Sequence, residues 1–206
     1  MFQDREEAAK KLALKLLGKI KGSNCLIIVL PKGAVKMGKI IAEYLSCSLG
    51  ILVIKKIGAP LNPELAIGAI APSTVFWNED LISSLFLKQT DLNQLKKEKE
   101  KERRVLEKIL TGKKRKLNFK GKNVILIDDG VATGATVLVA EKYIRKQGAK
   151  RITLAVPLIA ADTYKELKKI FDETIVLKKV KNFQAVGQFY RNFPQVSNKE
   201  VVNLLK

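Results

Sequence analysis

The stretch NVILIDDGVATGAT, residues 123–136, decides the fold prediction. It opens with a continuous apolar run, which is typical of a strand covered on both faces of a parallel sheet. The run ends in two adjacent acids, Asp128 and Asp129, and a loop of small residues and threonines follows. Ligands of open α/β sheets bind at the carboxyl ends of the strands. The acids and the loop therefore mark a predicted ligand site.

The surrounding sequence alternates strand and helix patterns in the same way. Short apolar runs at CLIIVL, ILVIKKIG, ITLAVP and TIVLKK are separated by helical patterns, and AIGAI and TVFW predict a small hairpin. Capping-box spacings, Asp4 with Glu7 and Ser197 with Glu200, open the first and last helices. We therefore predict a single α/β domain over residues 1–206, with a doubly wound, mainly parallel sheet and helices on both faces.

The loop after the acids is suited to an anion. Its small residues let backbone N–H groups point into one concavity, and the next helix contributes the positive end of its dipole. It matches neither the GxxxxGK[ST] nucleotide loop nor the GxGxxG dinucleotide turn. A phosphate monoester is the predicted ligand. The loop consists of Gly130, Val131, Ala132, Thr133, Gly134, Ala135 and Thr136.

The two acids would repel a phosphate, so they suit a group that is attached to it. Ribose offers hydroxyl donors to carboxylates, and its anomeric carbon develops positive charge when the bond to a leaving group breaks. A ribose 5-phosphate therefore explains the acids and the loop together, with Asp128 and Asp129 as the catalytic residues. The alternative interpretation of two such acids is a solvated strand end.

Composition narrows the functional classes. The chain has 206 residues, no histidine and two cysteines, which excludes a Cys/His zinc site and a histidine-based triad. We expect Cys25, which opens an apolar run, to be a reduced buried thiol. No apolar run approaches the about 18 residues of a membrane span, and the first residues lack a secretion-signal pattern. We predict a cytoplasmic protein without a membrane partner.

The formal charge of +19 is concentrated in residues 95–122, which hold 13 Lys/Arg and 4 Glu, a net charge of +9. A solvated helix face is one interpretation, and a phosphate-attracting surface is the other. The segment is not interleaved with aromatic residues, which disfavours a stacking platform for single-stranded nucleic acid. Nucleic acid is therefore a less favoured partner. We expect Arg103 and Arg104 to be charges on a helix surface.

VILIDDGVATGAT resembles the phosphoribosyl pyrophosphate (PRPP) motif of type I phosphoribosyltransferases, in which four apolar residues, two acids and a spacer precede TGxT. The resemblance extends over nearly the whole chain. FQDREEAAKKLA, VLPKGAVKMGKIIAEYL, VIKKIGAPLNPELAIGAI and FQAVGQFYRNFPQVSNKEVVNLL are similar to bacterial phosphoribosyltransferase-domain proteins of unassigned acceptor, which are sometimes fused to hydrolase domains.

The resemblance implies roles for the matching positions. Asp128 and Asp129 would hold the ribose hydroxyls, and residues 130–136 would bind the 5-phosphate of PRPP. A pyrophosphate loop would contain a non-proline cis peptide before its glycine, and two lysines at the end of the second strand would add positive charge. These pyrophosphate-binding residues are Pro31, Lys32, Gly33, Lys55 and Lys56.

The resemblance also divides the chain. Residues 71–120 take the place of a mobile lid over the site, and residues 179–206 form a C-terminal hood. Ala132 stands where hypoxanthine-guanine enzymes carry an acid and adenine enzymes an alanine. FQAVG resembles the base-covering FVVG segment with one residue inserted, and Arg191 lies near the place of an acid that reaches magnesium. The acceptor pocket would be lined by Phe183, Val186 and Phe189.

The predicted function is magnesium-dependent transfer of phosphoribose from PRPP to a nitrogen acceptor, for which a nucleobase is the first candidate, with release of pyrophosphate. Magnesium would be bound by the substrate, without direct protein ligands. The alternative is a non-catalytic module that senses PRPP or a nucleotide and binds RNA through the basic lid. The expected partners are PRPP and a small acceptor, and a homodimer is left open.

Overall fold

The structure is a computed structural model that describes residues 1–19, 24–112 and 117–205. Residues 20–23, 113–116 and 206 lie outside the described residues, and 113–116 are part of the basic segment 95–122. The helices are α1 (Arg5–Leu17), α2 (Ala34–Leu45), α3 (Glu79–Ser84), α4 (Gln89–Thr111), α5 (Ala135–Lys146), α6 (Ala161–Leu167) and α7 (Asn198–Leu204), with a short 3-10 helix at Val186–Phe189. The strands are β1 (Cys25–Val29), β2 (Ser48–Ile51), β3 (Lys55–Ala59), β4 (Asn62–Ala71), β5 (Thr74–Trp77), β6 (Asn123–Ile127), β7 (Arg151–Ala160) and β8 (Glu173–Val180).

The central sheet is parallel. Within the described ranges it has five strands in the order β2-β1-β6-β7-β8. Ile27 and Val29 of β1 pack into a core with α1 and α2, whereas Leu26 and Ile28 pack into a second core with α5. Alternate residues of a strand point to opposite faces, so a sheet covered on both sides needs continuous apolar strands. The predicted parallel sheet with helices on both faces is confirmed.

A second, antiparallel sheet has the order β3-β4-β5 in the part of the chain that is described. The predicted hairpin is confirmed, because Gly68 to Ala71 of β4 pair with β5. The single strand predicted over residues 51–58 is wrong. The chain leaves the central sheet after β2 and enters the second sheet at Lys55. An apolar run shows that a segment is buried, but it does not show in which sheet.

Two capping predictions have different outcomes. Ser197 and Glu200 form the predicted capping box at the start of α7. At α1 the Asp4 carboxylate accepts hydrogen bonds from the backbone N–H groups of Glu6 and Glu7. The Glu7 carboxylate, however, accepts from the backbone N–H of Gln3, 2.6 Å away, so that Asp4 caps the helix without a reciprocal bond. The Glu7 side chain therefore bonds the backbone N–H of Gln3, one residue before its predicted partner Asp4.

The cysteines also differ from the prediction. Cys25 and Cys47 form a disulfide, so Cys25 is not the expected reduced thiol. The parallel register between β1 and β2 pairs Leu26 with Ser48. The preceding residues, Cys25 and Cys47, therefore lie side by side with their Cα atoms 5.4 Å apart. Their contact depends on a strand pairing that the spacing of the two residues does not reveal.

Hydropathy gives one further result for the helices. Over residues 1–19, 24–112 and 117–205, none of them is both long and apolar enough to cross a membrane.

Candidate active site

The loops after β1 and β6 meet at one edge of the central sheet. Val29 and Ile127 are register partners at the ends of these parallel strands, so the chain segments that follow them start side by side. A Cβ atom added at Gly33 would overlap with the Asp129 carboxylate. Only glycine allows this approach, and it brings the predicted pyrophosphate loop against the predicted ribose acids. The implied cis peptide is present, at the Pro31–Lys32 bond.

Asp129 is bound by an arginine from the first turn of α1. The Nε atom of Arg5 donates to Asp129 Oδ2 at 3.0 Å, and both side chains are largely buried. The same guanidinium donates from Nη1 to the carbonyl oxygen of Pro194 at 2.8 Å and lies 3.6 Å from the centroid of the Phe193 ring. Sequence reasoning did not assign a role to Arg5. Its one signal is a basic residue in a first turn, where acids are favoured.

Asp128 has different surroundings from Asp129. Its Oδ1 accepts a hydrogen bond from the backbone N–H of Asp129 at 2.9 Å, and no described residue donates to its other oxygen. Burial raises the pKa of Asp128 well above its usual value, with a further increase from the Asp129 charge and a partial reduction by Lys56. Burial also raises the pKa of Asp129, but the Arg5 charge opposes that increase. Asp129 is therefore the more readily ionised of the two acids.

The loop of residues 130–136 is tied to β7 and α6. Val131 donates its backbone N–H to the Leu158 carbonyl at 3.0 Å and accepts from the Ala160 N–H at 2.9 Å. The Thr163 hydroxyl donates to the Ala132 carbonyl at 2.5 Å. Gly134 precedes α5 with φ +80°, a backbone conformation that favours glycine. The first turn of α5 contains no acid, so its free N–H groups leave a positive helix end at the loop.

Two residues of the predicted C-terminal hood, Val186 and Tyr190, contact this loop and the acid before it. The Tyr190 hydroxyl donates to the backbone carbonyl oxygen of Asp129 at 2.8 Å. Burial raises the pKa of Tyr190, so it stays a protonated donor. A Cβ atom added at Gly130 would lie 2.8 Å from a methyl group of Val186, which shows how closely the hood approaches the loop. Tyr190 is a second site residue without an assigned role in the sequence-based prediction.

The three predicted acceptor residues have different contacts in the structure. Val186 lies over Gly130 of the loop. Phe183 contacts Phe189, with ring centroids 5.4 Å apart. Phe189 lines a cavity of about 480 Å³ together with Phe2. Val186 is therefore the residue of the three that the structure brings directly to the loop.

The two lysines predicted to bind pyrophosphate, Lys55 and Lys56, have different partners. Lys56 lies close enough to Asp128 to lower its pKa. Lys55 instead forms an ion pair with Glu102 of α4 at 2.9 Å. Both lysines belong to the start of β3 rather than to the end of a central strand, because the predicted second strand is split between two sheets.

The two arginines of α4, Arg103 and Arg104, differ in their exposure to solvent. Arg104 is exposed, as predicted, whereas Arg103 is buried, which contradicts the prediction. Arg103 bonds Glu100 and Glu107, one turn before and after it on the same helix. Acids at these spacings allow α4 to bury a charged group.

Residues 1–19, 24–112 and 117–205 contain no cluster of three or more His, Cys, Asp or Glu side chains that could hold a metal ion.

The sequence is similar to a family of phosphoribosyl transferase domains and to individual proteins with related names. A family model described as "Phosphoribosyl transferase domain" matches residues 2–194. A Mycobacterium tuberculosis protein named "putative phosphoribosyl transferase" is 35% identical over 208 residues, which cover 100% of this chain and 46% of that protein. The chain thus spans about half the length of the curated relatives it matches. A ribose-phosphate pyrophosphokinase of Pyrococcus furiosus is 36% identical over 62 residues, 29% of this chain and 22% of that protein.

Solved structures share the fold. The protein TT1426 from Thermus thermophilus has a TM-score of 0.83 and 29% identity, and the match covers 99% of this chain and 97% of that one. A hypoxanthine phosphoribosyltransferase from Staphylococcus aureus has a TM-score of 0.51 at 12% identity, with 86% and 73% of the two chains covered. The second likeness concerns the fold alone.

Proposed function

The chain belongs to the phosphoribosyl transferase domain family, and from this premise we propose that it transfers phosphoribose from PRPP to a nitrogen acceptor and releases pyrophosphate. One observation carries the proposal. The two acids, the glycine of the loop after β1 and the loop before α5 converge at the carboxyl edge of one parallel sheet. Such an edge is where open α/β sheets bind ligands.

Each part of the edge has a chemical task in this proposal. The backbone N–H groups before α5 and the threonine hydroxyls receive the 5-phosphate. The free oxygen of Asp128 accepts a ribose hydroxyl. The backbone N–H groups of Lys32 and Gly33, with the Lys56 charge, bind the pyrophosphate. When the bond to pyrophosphate breaks, the negative charge beside the ribose stabilises the oxocarbenium-like centre, and the acceptor nitrogen attacks it.

Magnesium fits this proposal as an ion that arrives with PRPP. Magnesium is commonly held by one or two carboxylates together with substrate phosphates. Because Asp129 bonds Arg5 and Asp128 is given to a ribose hydroxyl, the ion would take its ligands mainly from the pyrophosphate and ribose oxygens of PRPP. The ion would neutralise charge on the departing pyrophosphate.

The same proposal includes a lid over residues 71–120, a class of acceptor and a role for the C-terminal hood. Chemistry through an oxocarbenium-like centre needs protection from water, and a closing segment provides it. Val186 and its neighbours would cover the acceptor, with a nucleobase as the first candidate. A homodimer and a cytoplasmic location stay predictions.

A second candidate function is a module that binds PRPP without turnover and contacts RNA through the lid. The observation in its favour is the net charge of +9 over residues 95–122. Residues 95–111, the part of this segment in α4, hold 7 Lys/Arg and 4 Glu, a net charge of +3, and the rest of the excess lies after the helix. The helix is therefore only weakly basic, and we favour the enzyme.

The test is pyrophosphate release from magnesium-PRPP against a panel of nucleobases and amines, with calorimetry of PRPP binding in parallel. Acceptor-dependent release that is lost in Asp128→Asn supports the transferase. Binding without release for any acceptor supports the sensing module. Neither release nor binding heat, at concentrations that detect millimolar affinity, would refute both.

A further inference from the structure

We propose that Arg5 is a positioning residue of this site: its guanidinium fixes the Asp129 carboxylate beside Asp128 and ties it to the C-terminal hood. The inference rests on the proposed function for the identity of the ligand. The contacts of Arg5 themselves do not depend on it.

The contacts of Arg5 join three separate parts of the chain. Nε donates to Asp129 in the loop after β6, Nη1 donates to Pro194 in the hood, and the guanidinium lies over the Phe193 ring. Its remaining nitrogen faces Gly33, where an added Cβ atom would be 3.1 Å from Nη2. The guanidinium is thus placed between the acid pair, the loop after β1 and the hood.

This arrangement requires an arginine. A planar guanidinium can donate in two directions and stack on a ring at the same time, whereas a lysine ammonium is a single point charge. Arg5 is 8% exposed, and a charge that is so buried must be paired. Asp129 is the acid that pairs with it among the described residues. Each of the two charges therefore holds the other in place.

The pairing gives the two acids different tasks. Oδ2 of Asp129 is committed to Arg5, and its backbone carbonyl accepts from Tyr190. Asp128 keeps an oxygen that no described residue bonds, and Lys56 is the cation that acts on it. Arg5 favours the ionised form of Asp129, and the resulting negative charge in turn disfavours ionisation of Asp128. Among the described residues, the site thus contains one carboxylate that a guanidinium holds and one whose hydrogen bond comes from a backbone N–H alone.

The experiment compares Arg5→Met and Arg5→Lys with Lys10→Met, which removes a charge from an exposed position of the same helix. The ionisation of Asp129 is followed by NMR of ¹³C-labelled carboxyl groups, and magnesium-PRPP binding is followed by calorimetry across pH. We expect Arg5→Met to raise the titration midpoint of Asp129 and to weaken PRPP binding on the order of 10- to 100-fold. Arg5→Lys should restore most of the midpoint but little of the affinity. Lys10→Met should match the unmodified protein in both.

Phe193→Leu provides a milder variant if the Arg5 variants do not fold, since it removes the ring under the guanidinium and keeps the ion pair. It should weaken PRPP binding several-fold with little change in the Asp129 midpoint. An unchanged Asp129 midpoint in a folded Arg5→Met protein would overturn the proposal, as would PRPP affinity within twofold in both Arg5→Met and Phe193→Leu. If the unmodified protein binds no PRPP, the proposed function fails, while the titration still decides whether Arg5 holds Asp129.

Discussion

Two buried arginines, one at the acids and one on α4, have opposite kinds of partners. Arg103 bonds two glutamates of its own helix, three and four residues away. Arg5 bonds Asp129 and Pro194, which are 124 and 189 residues away along the chain. The first arrangement stabilises one helix, whereas the second joins α1, the acid pair and the hood. Burial of a charge therefore does not identify a functional residue, but the chain separation of its partners points to one.

The largest expected effect is at the acid that is free to face the ligand. Asp128→Asn removes its charge, and we expect acceptor-dependent pyrophosphate release to fall by on the order of 1,000-fold, as for the loss of a group that stabilises transition-state charge. The fold should persist, because Asp128 has no ion-pair partner to leave unpaired. Asp162→Asn is the control, since that carboxylate is exposed on α6. Retained activity in Asp128→Asn would contradict a catalytic role for the acid.

The next effect concerns the contact between the two loops. In Gly33→Ala the new methyl group would overlap with the Asp129 carboxylate, which has to move away from Arg5. We expect magnesium-PRPP affinity to fall on the order of 10- to 100-fold in calorimetry. Gly18→Ala serves as the matched control, because a Cβ atom there meets nothing within 4 Å. Equal affinities for the two variants would mean that the loops do not act together.

The acid pair should also give a pH dependence. Burial raises the pKa of Asp128, so its ionised form is present above that raised pKa and is lost as the pH falls through it. PRPP affinity should therefore decrease on acidification, starting above the usual aspartate value of about 3.9 and by about tenfold per pH unit below the midpoint. Conversely, ionisation of Asp128 costs folding stability as the pH rises. An affinity that is flat down to the usual aspartate pKa would argue against a ligand-facing Asp128.

A smaller effect, on folding stability, is expected for Arg103, the buried arginine of α4. Arg103→Met leaves Glu100 and Glu107 without their buried partner, and we expect a loss of about 1–3 kcal/mol in urea unfolding. The exposed Arg104→Met should change stability by less than about 0.5 kcal/mol. Neither variant should alter PRPP affinity more than a few-fold. A loss of PRPP binding in Arg103→Met as large as in Arg5→Met would remove the distinction between the two arginines.

The smallest effect is a change in hydrogen exchange without any substitution. No side chain of α4 is buried between residues 93 and 102, whereas β6 has four buried residues. Backbone exchange in that part of α4 should be faster than in β6, because few buried contacts protect it. A non-reacting PRPP analogue with magnesium should slow it if residues 71–120 close over the site. Slow exchange that does not respond to the ligand would indicate a rigid lobe.

Sequence reasoning was most successful where the information is local. The apolar strand before Asp128, the small-residue loop and the hairpin each consist of neighbouring residues, and their patterns predicted the parallel sheet and its edge. It failed where distant segments meet. The split between β2 and β3, the Cys25–Cys47 contact and the ion pair of Arg5 all depend on which segments become neighbours, and no spacing within one segment reveals that.

The span of the Arg5 contacts has a consequence for synthesis on the ribosome. Arg5 leaves the ribosome well before Pro194, its partner in the hood, which follows 189 residues later. At about 5–20 residues per second this delay is roughly 10–40 s. A nascent chain can therefore pair β1 with β6 and already present both acids before the hood exists. Full affinity should appear only after Phe193 and Pro194 are made and contact Arg5, so that chains without the hood bind substrate more weakly.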